Sequence, residues 1–474
     1  MRRNKNRVLI CFLALLIILL ILIRFQSYFS LAIPLGYDHG IYRAFFMMLK
    51  DQLPYINLAG LPFWVKTTYE PLSWLLYIVS QSIVWIGSDF FLLRWVGFLH
   101  IIISIFIYLL LKKHSKVTAI IWVVLYLTSI VQYQVFWRGY IKQIIWILFI
   151  LMAYYLIEKK SYRLLIPILT WLFTVNRAGG IFFLISWIVY KIIIWIKGKF
   201  RTWKDVWPVL IAWLLSLVIY RPILKEQIFS MFGPMFGQAF ISEQSGTFFN
   251  KAQYFVYNII FIGLSIWGLI IWRKKSFSKK IPIEVIWFIV GILRVGLQLF
   301  FYNRMLGYLD IFVIILAAYG LWYLVLSSSK IWKFIGIWLY VLQLLFFGWY
   351  VNRTSFPLII ERERDSIKQI RSMIKPDSKI MVTGRKYSAF FMWYGSHNII
   401  APWLFDLDTR TQKQWDTRHF SQGDIKCQLL NTLDAKHKPD YLRIWSLQPF
   451  EELSWATCLR KMLWDDTYWF YLVH

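Results

Sequence analysis

Long apolar runs recur along the first three quarters of the chain, and short basic clusters separate them. The runs at residues 8–34 and 306–326 are long enough to cross a bilayer. With 59% hydrophobic residues over 474 positions, the chain is too apolar for a water-soluble domain. In lipid every backbone hydrogen bond must be made internally, which for runs of this kind means helices. The sequence therefore predicts an α-helical polytopic membrane protein.

The distribution of charge explains why the chain is so basic. A net charge of +29 would suit a nucleic-acid-binding protein, but 35 of the 53 Lys and Arg residues precede Asn352, against 10 of the 24 Asp and Glu residues. These basic residues lie in short clusters between apolar runs, as at 112–116 and 273–275. Cytoplasmic loops of membrane proteins concentrate Lys and Arg in this way. Membrane topology accounts for the charge, and no nucleic-acid partner is expected.

The same clusters predict the orientation of the chain. Residues 1–7 are basic and precede the first span, which puts the N-terminus in the cytoplasm. The short apolar run at 71–86 follows a proline-rich loop, so we interpret it as an interfacial or re-entrant helix. About eleven spans then leave the C-terminus outside the cell membrane. The predicted spans are 8–34, 90–111, 117–131, 141–157, 164–174, 181–196, 206–220, 255–272, 283–301, 306–326 and 331–350.

Two domains follow from this topology. We predict a transmembrane domain over residues 1–351, with an outer loop at 35–89, and a small extracytoplasmic α/β domain over 352–474. Isoleucines at Ile360, Ile367, Ile370 and Ile374 share one helical face, and 379–383 and 398–401 are predicted strands. Both tail cysteines would meet an oxidising compartment. A disulfide between Cys427 and Cys458 and two buried free thiols are both open.

Several basic side chains lie where the positive-inside trend does not expect them. Arg294 is the sharpest case, because it falls inside a predicted span, where a charge costs about 2.5–3.5 kcal/mol on insertion scales. An anionic lipid phosphate would match the planar, bidentate fork of Arg. Snorkelling to the headgroups of membrane lipids is the alternative, favoured for Arg94 and Arg221. The remaining basic residues near outer span ends are Arg138, Lys142, Arg177 and Arg304.

Two segments carry a family resemblance. In the outer loop, Tyr37-Asp38 is followed by Leu53-Pro54-Tyr55 and by the stretch 66–74, which runs from Lys66 through Glu70-Pro71. An acid just after the first span and a Lys-Pro-Pro-like stretch leading into an interfacial helix resemble the GT-C glycosyltransferases, especially the aminoarabinose transferase and protein O-mannosyltransferase group. Residues 303–308, running into the apolar stretch 311–319, resemble the basic motif that these enzymes carry before a late span.

The resemblance implies an inverting glycosyltransferase that takes a sugar from a polyprenyl-phosphate carrier. The acceptor would be a hydroxyl or amine of a lipid, glycan or protein on the outer side. A polyprenyl phosphate leaves readily once its charge is stabilised, so a base and phosphate-binding cations suffice. Asp38 would be the base, although a helix cap or an ion pair with Arg43 stays open for it. The residues predicted to bind substrate are Lys66, Glu70, Arg138, Arg177, Arg294 and Arg304.

The sequence departs from the family pattern at two points. Several members carry a second acid in a later outer loop, but the loop predicted at 132–140 has none. Glu70, Glu226 or Glu243 would then have to take its place. In addition, Glu70-Pro71 stands where the family has a pair of prolines.

These motifs define no metal-binding residue. His39 beside Asp38 would suit a divalent cation, which some GT-C enzymes use, but one His and one Asp are too few ligands to define a site. A hydrogen-bonding role for His39 is favoured.

Two other functions stay open at this point. A transporter or flippase of a lipid-linked or anionic substrate would also need an intramembrane cation such as Arg294. Such transporters commonly have related halves with broken helices at corresponding positions, and no internal repeat is evident here. A catalytically silent scaffold that displays the tail would tolerate the loss of Asp38.

Overall fold

The chain forms two units in the computed structural model. Of the described residues, the first contains 14–25 and 94–355, and the second contains 88–93 and those from 359 onward. The structure describes residues 14–25, 88–112, 116–175, 177–196, 206–220, 251–276, 283–297, 302–326, 329–355, 359–375, 378–382, 390–391, 394, 399–400, 423–433, 438–445, 458–465 and 468–473.

Helices make up the described part of the first unit. They form because the apolar runs can satisfy their backbone groups in lipid only through i to i−4 hydrogen bonds. In chain order they are α1 (Ala14–Phe25), α2 (Ser88–Leu111), α3 (Lys116–Thr128), α4 (Ile130–Trp137), α5 (Ile141–Glu158), α6 (Tyr162–Val175), α7 (Arg177–Ile196), α8 (Val206–Tyr220), α9 (Lys251–Ser276), α10 (Ile283–Gly296), α11 (Tyr302–Leu326) and α12 (Lys330–Thr354).

The predicted membrane fold is confirmed in its main feature, a mostly helical chain with several long apolar helices. Each predicted span overlaps one of these helices or, in one case, the pair α3 and α4. Among the described residues, five helices are long and apolar enough to cross a membrane, and six if that bent pair is one span. Other apolar helices, such as α1 and α6, are shorter. The number of eleven spans therefore stays a prediction.

One predicted span is interrupted. Instead of a continuous span at 117–131, α3 ends at Thr128 and α4 begins at Ile130, with a bend of 55° between them. The predicted loop at 132–140 is therefore wrong over most of its length, since α4 reaches Trp137 and all its residues are buried. The run is apolar except for Thr118, Thr128 and Ser129, and hydroxyl residues also occur inside helices, so its hydropathy alone does not mark the bend.

Two further boundaries differ from the predictions. The segment 176–180 was expected to turn, but α7 begins at Arg177 and takes Gly179 and Gly180 into its first turn. A Cβ on Gly179 would meet the indole of Trp146, so close packing rather than a turn requires this glycine. The span expected at 283–301 ends, as helix α10, at Gly296.

The interior of the first unit is built on α5 and α11. In their apolar stretches 67% and 78% of the residues are buried, against 28% in α12. The rings of Trp146 on α5 and Tyr308 on α11 pack with their centroids 4.2 Å apart. Helices α8 and α12 instead expose large apolar side chains, which is the surface that lipid requires. These include Trp207, Val218, Phe334 and Leu345.

Helices α9 and α11 approach each other closely at two glycines. A Cβ on Gly268 would meet the carbonyl oxygen of Leu316, and one on Gly320 would meet that of Leu264. Small residues let membrane helices approach to backbone contact, because lipid supplies no hydrophobic force between helices. This contact fixes α11, which carries much of the interior, against α9.

Replacing Gly268 by Ala is expected to destabilise the first unit. The new Cβ would meet backbone atoms of α11, which cannot move aside as a flexible side chain can, and overpacking of this kind costs about 1–3 kcal/mol. The thermal unfolding midpoint in detergent measures the effect. Gly263→Ala on the same helix is the matched control, because its Cβ would enter open space. Equal midpoints for the two variants would contradict the close contact.

The tail combines helices with one mixed sheet. Strands β1 and β2 fall at the two predicted positions. In the sheet order β2-β1-β3-β5-β4, β1 pairs in parallel with β2 and β3, whereas β5 pairs antiparallel with β3 and β4. The elements are α13 (Glu361–Met373), β1 (Ile380–Val382), β2 (Ile399–Ile400), α14 (Gly423–Asn431), β3 (Tyr441–Trp445), β4 (Leu459–Asp465) and β5 (Tyr468–Val473).

Helix α13 largely follows the predicted isoleucine pattern. Ile367, Ile370 and Ile374 are buried. Ile360, expected on the same face, is exposed because it precedes the first turn as the N-cap residue. Its backbone N donates a hydrogen bond of 2.8 Å to Oε2 of Glu363, which pairs one amide at the helix start.

The tail cysteines form a disulfide. The bond between Cys427 and Cys458 joins α14 to the residue before β4, with a Cα–Cα distance of 5.6 Å. It lies in a buried cluster with Met381, Leu442 and Tyr471. The structure thus selects the disulfide over the pair of free thiols.

Removing this disulfide is expected to weaken the tail. A bridge across 31 residues removes chain entropy from the unfolded state, so Cys427→Ala with Cys458→Ala should lower the free energy of unfolding by about 3–4 kcal/mol. Protease susceptibility of the tail across a urea series, in the full-length chain in detergent, measures it. Cys11→Ala is the control. An unchanged urea dependence of the double variant would contradict the prediction.

Candidate functional site

The structure describes the predicted site residues unequally. Asp38, Lys66 and Glu70 lie outside the described residues. Arg177 is the first residue of α7, and Arg304 lies in the first turn of α11. Both were predicted to stand in turns or loops before a span, and both are instead part of the helix that follows. Arg138 and Arg294 are described with their side chains.

Arg294 is buried among three helices. It lies in the last turn of α10 with 6% of its surface exposed, and it interacts electrostatically with Tyr308 of α11. The next residue, Val295, packs against a buried cluster formed by Val131 of α4, Tyr254 of α9 and Leu306 of α11. The predicted intramembrane cation therefore lies near α4, inside the protein rather than at its lipid surface.

Arg138 follows the last residue of α4 and is held by that helix. It is the C-cap of α4 and is partly exposed. Its Nε donates to Oε1 of Gln134 at 3.4 Å, and the amide Nε2 of Gln134 donates to the hydroxyl of Tyr350 on α12 at 2.5 Å. A cation at the end of α4 also lies at the negative end of the helix dipole. Arg138 thus has a defined direction and an accessible side chain.

The start of α4 is bound to a buried carboxylate, Asp310 of α11. Oδ2 of Asp310 accepts hydrogen bonds from Oγ of Ser129 at 2.7 Å and from Nε2 of Gln132 at 2.9 Å. Nε2 of Gln132 also donates to the carbonyl oxygen of Gly307 at 2.8 Å. Ser129 Oγ in turn accepts from the backbone N of Gln132 at 3.1 Å, as an N-cap does. Asn258 of α9 lies beside the same carboxyl group.

Arg24 of α1 is a second charge in the interior. Only 1% of its surface is exposed, and NH1 donates to the carbonyl oxygen of Leu127 at 2.9 Å. Its guanidinium carbon lies 5.6–5.9 Å from the ring centroids of Tyr126, Tyr133 and Phe136, within cation–π range. Arg24 and Asp310 lie within electrostatic range of each other, so the cluster combines one positive and one negative side chain.

Side chains from other helices donate hydrogen bonds to the backbone carbonyl groups that have no helical partner at the bend between α3 and α4. The end of α3 has carbonyl groups without the usual donors one turn later. Arg24 pairs the carbonyl of Leu127, and Nε2 of Gln343 on α12 donates to that of Thr128 at 3.0 Å. Unpaired groups at this depth would cost several kcal/mol each. The bend is therefore supported by α1 and α12 on the α3 side and by Asp310 on the α4 side.

Sequence reasoning missed Arg24, Asp310 and the polar residues around the bend. A signal for the two charges was present, because each stands alone in an apolar run, and such residues are rare and usually functional. The same rule singled out Arg294. The hydrogen bond between Ser129 and Asp310 joins positions 181 residues apart, which a single sequence does not reveal.

The charged groups described in this region are the guanidinium groups of Arg24, Arg138 and Arg294 and the carboxyl group of Asp310. No group of three or more His, Cys, Asp or Glu side chains that would hold a metal ion occurs among the described residues. Arg138 and Arg294 offer guanidinium groups, and Arg is suited to phosphate. Asp310 is fully buried and accepts hydrogen bonds from Ser129 and Gln132 beside Asn258, which suits a structural anchor and not a base that meets an acceptor.

The fold is that of a polytopic, mostly helical membrane protein, and it has a counterpart among solved structures. The chain is similar to the archaeal oligosaccharyltransferase AglB from Archaeoglobus fulgidus, in complex with an inhibitory peptide and a dolichol-phosphate, with a TM-score of 0.54 and 11% identity. The match covers 91% of this chain and 69% of AglB. No protein-family model and no curated protein sequence matches the chain. At this identity the likeness shows a shared fold and nothing finer.

Proposed function

We propose that this protein is an inverting glycosyltransferase that moves a sugar from a polyprenyl-phosphate carrier to an acceptor on the extracytoplasmic side of the membrane. The observation that carries the proposal is the fold shared with AglB over 91% of the chain. AglB is an oligosaccharyltransferase, and its structure contains a dolichol-phosphate, which is a polyprenyl-type lipid phosphate. The acceptor is a lipid, glycan or protein.

The proposed chemistry divides between a base and a set of cations. Asp38 takes the proton of the acceptor as its oxygen or nitrogen attacks the anomeric carbon. The bond from that carbon to the carrier phosphate breaks, and the phosphate leaves with the electron pair. Arginines then stabilise the charge that develops on the phosphate. The cations proposed for this task are Lys66, Arg138, Arg177, Arg294 and Arg304, with Glu70 as a contact to the sugar.

The proposed topology puts the tail on the same side as the reaction. The disulfide between Cys427 and Cys458 supports an outer location, because such bonds persist in oxidising compartments and are rare in the cytoplasm. The aminoarabinose-transferase or O-mannosyltransferase subtype belongs to the proposal as well, since it rests on the outer-loop motif around Asp38 and Glu70-Pro71.

A transporter or flippase of a lipid-linked substrate is the second candidate. The bend between α3 and α4 favours it, since broken spans line the substrate sites of many transporters. Against it stands the pairing of that bend by Arg24, Gln343 and Asp310, which makes it a packed feature of the protein interior.

Sealed proteoliposomes distinguish the two functions. Labelled polyprenyl-phosphate sugar is supplied in the membrane together with a membrane-derived acceptor fraction, and two quantities are followed: label in the acceptor and label in the opposite leaflet. A transferase moves label to the acceptor and releases polyprenyl phosphate. Movement of intact donor between leaflets, without any label in the acceptor, would replace the proposed function by that of a flippase.

A further inference from the structure

We propose that Asp310 is a positioning residue for the donor phosphate: it anchors the start of α4 through Ser129 and Gln132, and so fixes Arg138 at the other end of α4. This inference rests on the proposed function, because it takes the ligand of Arg138 to be the phosphate of a polyprenyl carrier.

The two shortest hydrogen bonds of Asp310 tie it to α4, while Asn258 of α9 lies beside the same carboxyl group. Both of these hydrogen bonds come from the first turn of α4 or its cap, at 2.7 Å from Ser129 and 2.9 Å from Gln132. A carboxylate at a helix N-terminus is also favoured by the helix dipole. Gln132 adds a bond to the backbone of Gly307 on α11. The start of α4 is therefore tied to α11 at two points.

Fixing the start of α4 also fixes Arg138, which follows its last residue. Helix α4 has eight residues, which makes it about 12 Å long, and all of them are buried. A helix this short that is packed on all sides moves as one piece. At its far end Gln134 connects Arg138 to Tyr350 of α12. The direction of the Arg138 guanidinium thus depends on where Asp310 holds the first turn.

Neutralising Arg24 is the alternative role for Asp310. The contacts separate the two roles, because Arg24 binds the end of α3, at Leu127, whereas Asp310 binds the start of α4. If balance were its sole role, losing the Ser129 hydroxyl would leave the ligand affinity of Arg138 unchanged.

The test measures how tightly the full-length protein in detergent binds a polyprenyl phosphate. Ser129→Ala removes one hydrogen bond of Asp310 and leaves the charged side chains of Asp310 and Arg138 in place. Arg138→Ala removes the proposed contact with the ligand. We expect Ser129→Ala to weaken binding about tenfold, the loss that follows from one misplaced hydrogen bond to a charged group. In the Arg138→Ala background, Ser129→Ala should produce no further loss.

Two controls separate positioning from stability. Thr128→Ala also deletes a buried hydroxyl, next along the chain, but that hydroxyl bonds only carbonyl groups of its own helix, those of Val124 and Leu125. It should leave the affinity near the native value. Ser129→Thr keeps a hydroxyl at the bend and should restore binding, with the thermal midpoint of each variant recorded alongside.

The outcomes also distinguish this inference from the proposed function. In one outcome the native protein binds polyprenyl phosphate, and the losses of affinity caused by Ser129→Ala and Arg138→Ala multiply in the double variant. That outcome would overturn the positioning role and leave the proposed function standing. Binding of polyprenyl phosphate by Ser129→Ala with native affinity would likewise overturn the positioning role alone. Native protein that does not bind a polyprenyl phosphate would overturn both.

Discussion

Replacing Asp38 by Asn is expected to lower the rate of sugar transfer by about 10²–10⁴-fold, the usual contribution of a general base. The amide keeps the size of the side chain and its hydrogen bonds but cannot take a proton from the acceptor. Donor binding should stay close to native, because the cations that hold the phosphate are unchanged. The measurement is the single-turnover rate of transfer, alongside the dissociation constant for the donor.

A matched variant and a stability measurement complete this experiment. Asp51→Asn changes another acid of the same predicted outer loop and should leave the rate unchanged. The alternative roles of Asp38, a helix cap or an ion pair with Arg43, predict a lower thermal midpoint in place of a slower chemical step. A stable Asp38→Asn protein with the native transfer rate would remove Asp38 from the mechanism.

Replacing Arg24 by Met is expected to cost about 1–3 kcal/mol of stability for the buried carbonyl of Leu127 alone, the penalty for an acceptor that loses its donor. Two effects add: the carbonyl of Leu127 loses its donor, and the charge of Asp310 is left without the positive charge of Arg24. The variant no longer pays the desolvation cost of a buried guanidinium group, which acts in the opposite direction and stabilises it. The unpaired carbonyl and the uncompensated carboxylate outweigh it, because both are buried where lipid and packed side chains supply no replacement.

The double variant decides whether the two charges are coupled. Asp310→Asn in the Arg24→Met background makes the cluster neutral again, so the double variant should be more stable than the sum of the two single losses predicts. The readout is the thermal unfolding midpoint in detergent. Arg163→Met is the control at an exposed position on α6, with an expected change within about 0.5 kcal/mol. Strictly additive losses would show that Arg24 and Asp310 act independently.

Hydropathy located the helices of the membrane unit except α4, which occupies most of a predicted loop. The prediction at 141–157 differs from helix α5 by one residue, because a run of Ile, Leu and Phe between a glycine and a basic cluster has only one favourable structure in lipid. The strands at 380–382 and 399–400 were also found, since short β-branched runs flanked by turn residues mark them.

The bend at Ser129 and its partners were not predictable in the same way. Serine is compatible with a helix, and apolar residues follow it. The bend is explained only by the hydrogen bond from Ser129 to Asp310 and the one from Gln343 to the carbonyl of Thr128. These contacts bring together positions far apart in sequence. The arginines near the outer span ends were recognised, but Arg24 and Asp310 were overlooked although both stand in apolar runs.

The most direct test of sugar transfer from a polyprenyl-phosphate carrier is a transfer assay with the purified native protein. Labelled polyprenyl-phosphate sugars are offered with a membrane acceptor fraction, and the label in the acceptor is compared with the polyprenyl phosphate released. A glycosyltransferase of the proposed kind yields both in equal amounts, with inverted configuration at the anomeric carbon, and yields both far more slowly when Asp38 is replaced by Asn. Label that stays on its carrier with every donor and acceptor would contradict the proposed function.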